Sequence, residues 1–173
     1  MTTKKLANLT ENQKAYLAGF LDGDGSIYAR IVKRKDYVLR FQLTLSVAFF
    51  QKKTQKHILL QFQKEIGAGI FIERKDLMCE LILNGHSLVE PFLRSLVPFL
   101  RVKKKQANLI LKICELLPTH KKNPIKFLEL CELADQIANL NYSKNREVTA
   151  EVVKDHFFKL EKNKDVPVET QIK

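Results

Sequence analysis

Apolar and polar positions alternate most regularly between Val38 and Phe50. Leu39, Phe41, Leu43, Leu45, Val47 and Phe49 share one side of a period of two, and Arg40, Gln42, Thr44 and Ser46 share the other. This predicts a half-buried antiparallel strand with one polar face. Ser26 to Arg34 reads as its partner, with a turn at Lys35-Asp36 and with Tyr28, Arg30 and Arg34 on one face. Upstream, Thr10-Glu11-Asn12-Gln13 has the form of a capping box, so a helix starts there. It must stop within Asp22-Gly23-Asp24-Gly25, where two glycines break it. Downstream the period lengthens. Ile58, Leu59, Phe62 and Ile66 give helical spacing over Lys52 to Ile66, closed by Gly67. Two short strands are predicted at Ile70 to Arg74 and Met78 to Leu83. Helices follow over Ser87 to Leu96, over Val102 to Leu117, from Pro124 at a first turn through Ile137, and from a Thr149 cap to Leu160. Asn139 to Glu147 reads as a polar loop.

The predicted order, α-β-β-α-β-β-α with further helices behind it, is an α/β (α+β) chain whose first seven elements enclose a four-stranded antiparallel sheet. It reads as a single domain over residues 1–160, followed by a charged tail at 161–173 expected to be disordered. No internal repeat is visible.

Charge adds the first functional constraint. Lys plus Arg number 30 against 19 Asp plus Glu, a formal net charge of +11. Such an excess on a domain of this size suits a polyanionic partner, nucleic acid or an acidic membrane surface. No apolar run approaches the ~18 residues of a membrane span, and Met1 to Asn8 has no apolar signal core. Cys79, Cys114 and Cys131 form no CxxC pair, and His57, His86, His120 and His156 lack ligand spacing, which argues against a zinc site or a disulfide framework.

The segment Leu17-Ala18-Gly19-Phe20-Leu21-Asp22-Gly23-Asp24-Gly25 carries the chemistry. Ala15, Gly19 and Gly23 recur every four residues and so line one helix face. Glycine in a helix costs roughly 1 kcal/mol relative to alanine, and a face without side chains lets another backbone approach. With no repeat in the chain, that backbone would belong to a second copy. Asp22 can bind loop backbone. Asp24, at the foot of a helix pair, can hold a hard cation, for which Mg²⁺ typically takes one or two protein carboxylates. Two solvated turn aspartates fit the same residues.

The nonapeptide resembles the signature of the LAGLIDADG homing endonucleases, and Phe99-Leu100-Arg101-Val102-Lys103-Lys104-Lys105-Gln106-Ala107-Asn108-Leu109 resembles a second hallmark of their single-motif, homodimeric branch, encoded in organellar group I introns. The resemblance covers Ala15 to Leu160. It implies a fold whose sheet forms a DNA-binding saddle, and a homodimer that hydrolyses both strands of a long pseudo-palindromic duplex site, leaves short 3′ overhangs and promotes intron mobility. It implies Mg²⁺ held by Asp24 and the Gly23 carbonyl, with Mn²⁺ or Ca²⁺ substituting for binding. Gln51 would position solvent, and Lys103 would stabilise charge or orient water, completing a catalytic set with Asp24. Ala15, Ala18, Gly19 and Asp22 would form the dimer interface. The sheet would read DNA through Tyr28, Arg30, Arg34, Arg40, Gln42, Thr44, Ser46, Arg74 and Glu80, with Arg101, Lys105, Asn141, Ser143 and Lys144 on the backbone. Neither a membrane nor a small-molecule substrate is expected. Organellar residence, in the chloroplast rather than the mitochondrion, is implied by the resemblance alone. Ala48, Val32 and Ile72 depart from the family by standing where base-reading polar side chains are usual, and no basic residue between Lys52 and Lys56 can be assigned to the active site. The alternative of the same fold is an RNA-binding splicing maturase or a non-cleaving DNA-binding regulator.

Overall fold

The computed structural model describes residues 8–141 and 146–162. Helix α1 (Glu11–Asp24) opens on the capping box, with Thr10 accepting from the Gln13 amide and the Gln13 side chain accepting from Thr10. The chain then turns directly into strand β1 (Gly25–Lys33), which pairs antiparallel with β2 (Phe41–Lys52). Gly25 has an extended backbone that any residue can adopt, so the demand for glycine here is steric. A Cβ would sit 2.8 Å from the Leu21 carbonyl oxygen and 2.9 Å from its Cα. A turn of 3-10 helix (Lys53–Gln55) leads to α2 (Lys56–Ile66), which ends on Gly67 at φ 74°. Strands β3 (Ile70–Glu73) and β4 (Met78–Asn84) follow, then α3 (His86–Leu96), α4 (Lys104–His120), α5 (Pro124–Leu140) and α6 (Ala150–Lys162). The four strands are ordered β1-β2-β4-β3 and every neighbouring pair is antiparallel.

The sheet keeps one face for the core. Ile27, Ala29, Ile31, Leu43, Leu45, Val47, Phe49, Leu81 and Leu83 point inward and are buried. Phe20 of α1, Phe62 of α2 and Phe49 of β2 meet edge to face or tilted, with ring centroids 5.0–6.2 Å apart, which seats the last turns of α1 on the sheet. Helices α1 to α5 cover this inner face, and the opposite face is open.

Element order and sheet type agree with the sequence reading, but some boundaries do not. Lys52 ends β2 instead of starting a helix, α4 continues through Pro118 to His120, and α6 runs two residues past Leu160. The hairpin turn is wider than Lys35-Asp36. The Arg34 amide donates to the Arg40 carbonyl (2.8 Å), so the loop spans Arg34 to Arg40. Arg40, expected on the polar face of the strand, instead takes a left-handed backbone (φ 61°), and its guanidinium donates to the Lys35 carbonyl. Arg34, expected in line with Tyr28 and Arg30, lies beyond β1, pairs with Asp36 at 3.0 Å and stands over the Tyr37 ring. The tail boundary falls mostly outside the described residues.

Candidate active site

The end of α1 is built around its two aspartates, which do different work. The Asp22 carboxylate accepts from the backbone N–H groups of Arg101 (2.7 Å), Val102 (3.1 Å) and Lys103 (2.8 Å). Its carbonyl accepts from the Lys103 ammonium at 2.6 Å. Partial burial by itself would raise the Asp22 pKa. The three amides, with the Lys103 charge, outweigh it and hold the carboxyl below its ordinary value. Asp22 was expected at the dimer interface; within the protomer its carboxylate clamps the loop that enters α4, because a negative group at three converging amides is worth more than a solvated one.

Asp24 is exposed at the last position of α1. It opens, with Gly23, Gly25, Phe50, Gln51, Lys52 and Met78, onto a cleft of about 380 Å³. Lys103 lies within the field of both acids. Burial lowers its pKa, and the charges of Asp22 and Asp24 oppose that shift. Gln51, one turn of the pleat beyond Phe49, accepts the Lys52 amide through its carboxamide oxygen at 2.9 Å. The structure therefore brings Gly23, Asp24 and Gln51 to one cleft and sets Lys103 beside it.

The donors fit a hard cation. The last carbonyls of a helix lack intrahelical partners and carry its negative end. The last turn of α1 contains two acids and no basic residue. A carboxylate beside backbone carbonyls is an all-oxygen set of the type Mg²⁺ prefers.

Of the four residues expected to face a second copy, Ala15 and Gly19 are exposed, as is Gly23, and a Cβ built on Gly19 or Gly23 meets nothing within 4 Å. Ala18 does not join them. It is 0% exposed and packs into the protomer's own core, since it turns about 60° away from the Ala15–Gly19–Gly23 face, towards the side of α1 that buries Leu17 and Leu21.

The open sheet face carries Tyr28, Arg30, Gln42 and Thr44, and it forms a concavity of about 600 Å³ with Asn84 and Ile82. Arg30 lies 4.6 Å from the Tyr28 ring centroid. Ser46 is on this face and lines the same concavity, but it is only 4% exposed and its hydroxyl donates to Asn84 at 2.6 Å. Arg74 and Glu80 come together as an ion pair, with Asp76 on the same guanidinium at 2.7 Å. Arg101 and Lys105 are exposed around the Asp22 clamp. Asn141 was expected on phosphate. Its amide donates to the Ile27 carbonyl at 3.0 Å, which fixes it to β1. Ser143 and Lys144 lie outside the described residues. Lys56 and Lys53 both bind Glu73, at 2.7 and 2.8 Å, and are not brought to Asp24.

Phe50 and Met78 were not anticipated. They line the Asp24 cleft only because β2 and β4 pair in register Phe50↔Glu80 and Lys52↔Met78. His86, Glu90 and Cys114 also gather their ligand atoms within 4.8 Å. Glu90 there is already shared by Arg94 (3.0 Å) and His86 (3.1 Å), and burial pushes the Cys114 thiol up to about 12, so the cluster closes on itself as an ion-pair network.

Known proteins match this architecture closely. A family model described as LAGLIDADG endonuclease matches residues 17–115. The chain is 45% identical over 139 residues to DNA endonuclease I-CreI of Chlamydomonas reinhardtii, covering 80% of this chain and 85% of that protein. It is 40% identical over 146 residues to DNA endonuclease I-CvuI of Chlorella vulgaris, covering 84% and 90%. A crystal structure of I-CvuI with the I-CreI target, in the presence of Mg and with the DNA uncleaved, superposes with TM-score 0.83 over 87% of this chain and 96% of that one, at 40% identity. Another I-CvuI structure holds its own target in the presence of Ca. The αββαββα order, the four-stranded antiparallel sheet and the C-terminal helices are those of that fold, and the chain belongs to the LAGLIDADG endonuclease family.

Proposed function

We propose that this protein is a homing endonuclease that acts as a homodimer on a long, pseudo-palindromic duplex DNA site, cutting both strands in Mg²⁺. The observation that carries the reading is the convergence of Asp24, Gln51 and Lys103 at the foot of α1, beside a basic molecule's one open sheet face. DNA binding is supported by the DNA complexes of I-CvuI, and dimerisation by the exposed Ala15, Gly19 and Gly23 face. Two copies packed on that face would bring two Asp24 residues near one axis.

Asp24 and the Gly23 carbonyl would hold Mg²⁺, with Mn²⁺ or Ca²⁺ able to replace it for binding. When bound, the metal supplies Lewis acidity and an activated water for phosphodiester hydrolysis. The chain's own groups complete the site. Gln51 orients solvent beside the phosphate through its carboxamide. Lys103 is fixed at both ends by Asp22, through its amide and its ammonium, and places positive charge where the phosphate accumulates negative charge. Its position is preorganised, so no reorganisation is required at the reaction. Arg101 and Lys105 would hold the backbone, and Arg30, Gln42 and Arg74 would read base edges in the major groove. Function in intron mobility, short 3′ overhangs and residence in an organelle, the chloroplast first, belong to the same reading, and the algal origin of both relatives supports the last.

The test is incubation with a randomised duplex library in Mg²⁺ and in EDTA, followed by sequencing of the ends. Mg²⁺-dependent cuts at one long, near-palindromic sequence are expected. Salt-sensitive binding without cleavage in any divalent metal would overturn the nuclease reading in favour of a splicing maturase or a regulator of the same fold.

A further inference from the structure

The open face of the sheet is divided. Towards the hairpin the cross-strand rows are mostly polar: Tyr28, Ser46 and Asn84, then Arg30 and Thr44, then Gln42 beside Val32. Towards Asp24 apolar side chains predominate. One row is Ser26, Ala48, Ile82 and Ile70, with Ala48 fully buried; the next is Phe50, Glu80 and Ile72, and beyond it Met78 stands beside Lys52. Ile70 and Ile72 are 57% and 41% exposed, and Phe50, Met78 and Ile82 are partly so. A solvated antiparallel face normally alternates to polar side chains, so these residues call for an occupant with apolar groups.

We propose that this half of the sheet reads thymine, by contact with its C5-methyl group. The inference rests on the DNA-endonuclease reading above and says what that site selects. Thymine's methyl is the apolar mark that a base pair presents in the major groove, and apolar side chains are its natural readers. Ile72 and Ile82 offer no hydrogen bond to a base edge, so discrimination at their positions falls to methyl contact. Two features commit the patch to DNA. Phe50 and Met78 line the same cleft as Asp24, so the patch adjoins the place where a scissile phosphate must lie. The Arg74–Glu80 pair stands within it, as a charge-bearing pair would in a groove-facing surface. The base pairs so read are therefore those nearest the cuts, and the polar half reads the outer ones.

The experiment selects bound and cleaved duplexes from a random library, then replaces thymine by uracil in the selected site, inner and outer base pairs separately. Removing one buried methyl should weaken binding about fourfold, inside but not outside. Ile72→Arg, at an exposed edge-strand position, should exchange a preferred thymine for guanine at one inner position. Site-specific cleavage with no inner thymine preference, or with indifference to uracil, would overturn this inference and leave the endonuclease standing. Absence of any sequence-selective DNA binding would overturn both. A change of solution mass in Ile72→Arg with base preference unaltered would assign the patch to protein contact and overturn the inference.

Discussion

The foot of α1 and the open face of the sheet, which the proposed function joins in one reaction, are held in place by different means. At the foot of α1, backbone groups do the positioning. Asp22 gathers three amides, its carbonyl takes the Lys103 ammonium, and Gly25 leaves no room for a Cβ. On the sheet face strand register fixes where a side chain stands, with a few side-chain pairs such as Ser46–Asn84 and Arg74–Glu80 added to it. The first arrangement suits chemistry, which tolerates little displacement. The second suits recognition, which can change residue by residue without disturbing the fold. The core is shared: Phe20, Phe49 and Phe62 tie α1 to the inner side of the same β2 strand whose outer side belongs to the open face.

The largest expected effect separates the two regions outright. Asp24→Asn removes a charge that no hydrogen bond of the fold depends on, since Asp24 is exposed and Asp22 carries the clamp. Cleavage in Mg²⁺ should fall by several kcal/mol of barrier, on the order of 10³-fold or more. Unfolding temperature and DNA affinity in Ca²⁺ should be retained. A variant that still cuts in Mg²⁺ would remove the metal from Asp24.

The second test acts on the exposed α1 face proposed to meet a second copy. A Cβ at Gly19 meets nothing within 4 Å in its own protomer, so the Gly19→Leu side chain starts from open space there. Its side chain would hold two α1 helices apart. The variant should fold, sediment as a monomer and lose double-strand cleavage. A dimer mass equal to that of the unaltered protein would discard the small-residue interface.

How far each region was legible follows from the same contrast. The capping box, the glycines and the acids of α1 are local signals, so the helix, its end and the candidate cation site could be read directly. The division of labour between Asp22 and Asp24 could not, because the clamp joins residues 79 to 81 positions apart. On the sheet, alternation identified the reading strand but overran it. Arg34 and Arg40 continue the period of two, yet a backbone bond between them closes a loop and turns both away. Ser46 has the right parity for the open face and is covered by Asn84, 38 residues on. Phe50 and Met78 enter the cleft through a pairing of β2 with β4 that no periodicity encodes. Local rules thus gave the chemistry, and non-local register decided the surface.

A smaller effect should appear when the clamp itself is broken. Asp22→Asn leaves one side-chain acceptor oxygen and sets an NH₂ against backbone donors. The loss should be about 1–3 kcal/mol of stability, with cleavage reduced through a loosened Lys103. Asp24→Asn and Asp22→Asn should therefore differ in sign of evidence: the first silent in thermal unfolding, the second lowering it. The Asp22 carboxyl is held below its ordinary value, so its contribution is fully present above the unfolded pKa of 3.8 and is lost as pH falls through the lower folded value. The stability gap between the unaltered protein and Asp22→Asn should then narrow only in acid. Equal unfolding temperatures near neutrality would show that the clamp stabilises nothing.

The smallest effect belongs beside the reading face, at Glu73 on edge strand β3. Hydrogen bonds first from Lys53 and then from Lys56, with their charges, hold its carboxyl down at about 2. All three side chains remain open to solvent, so little stability is at stake. Its pH signature is nonetheless definite. The contribution exists above the unfolded value of 4.5 and disappears as pH falls from there towards about 2. Glu73→Gln should lower the unfolding temperature slightly at pH 7 and not at all near pH 2, and added salt should erase the difference at pH 7. The same substitution releases two lysines next to the duplex, so DNA affinity should rise modestly and the log–log salt dependence should steepen by up to about 0.9 for each new phosphate contact. A salt slope that does not change would place Lys53 and Lys56 outside the DNA footprint, and confine the backbone contacts of this region to Arg101 and Lys105 around the Asp22 clamp.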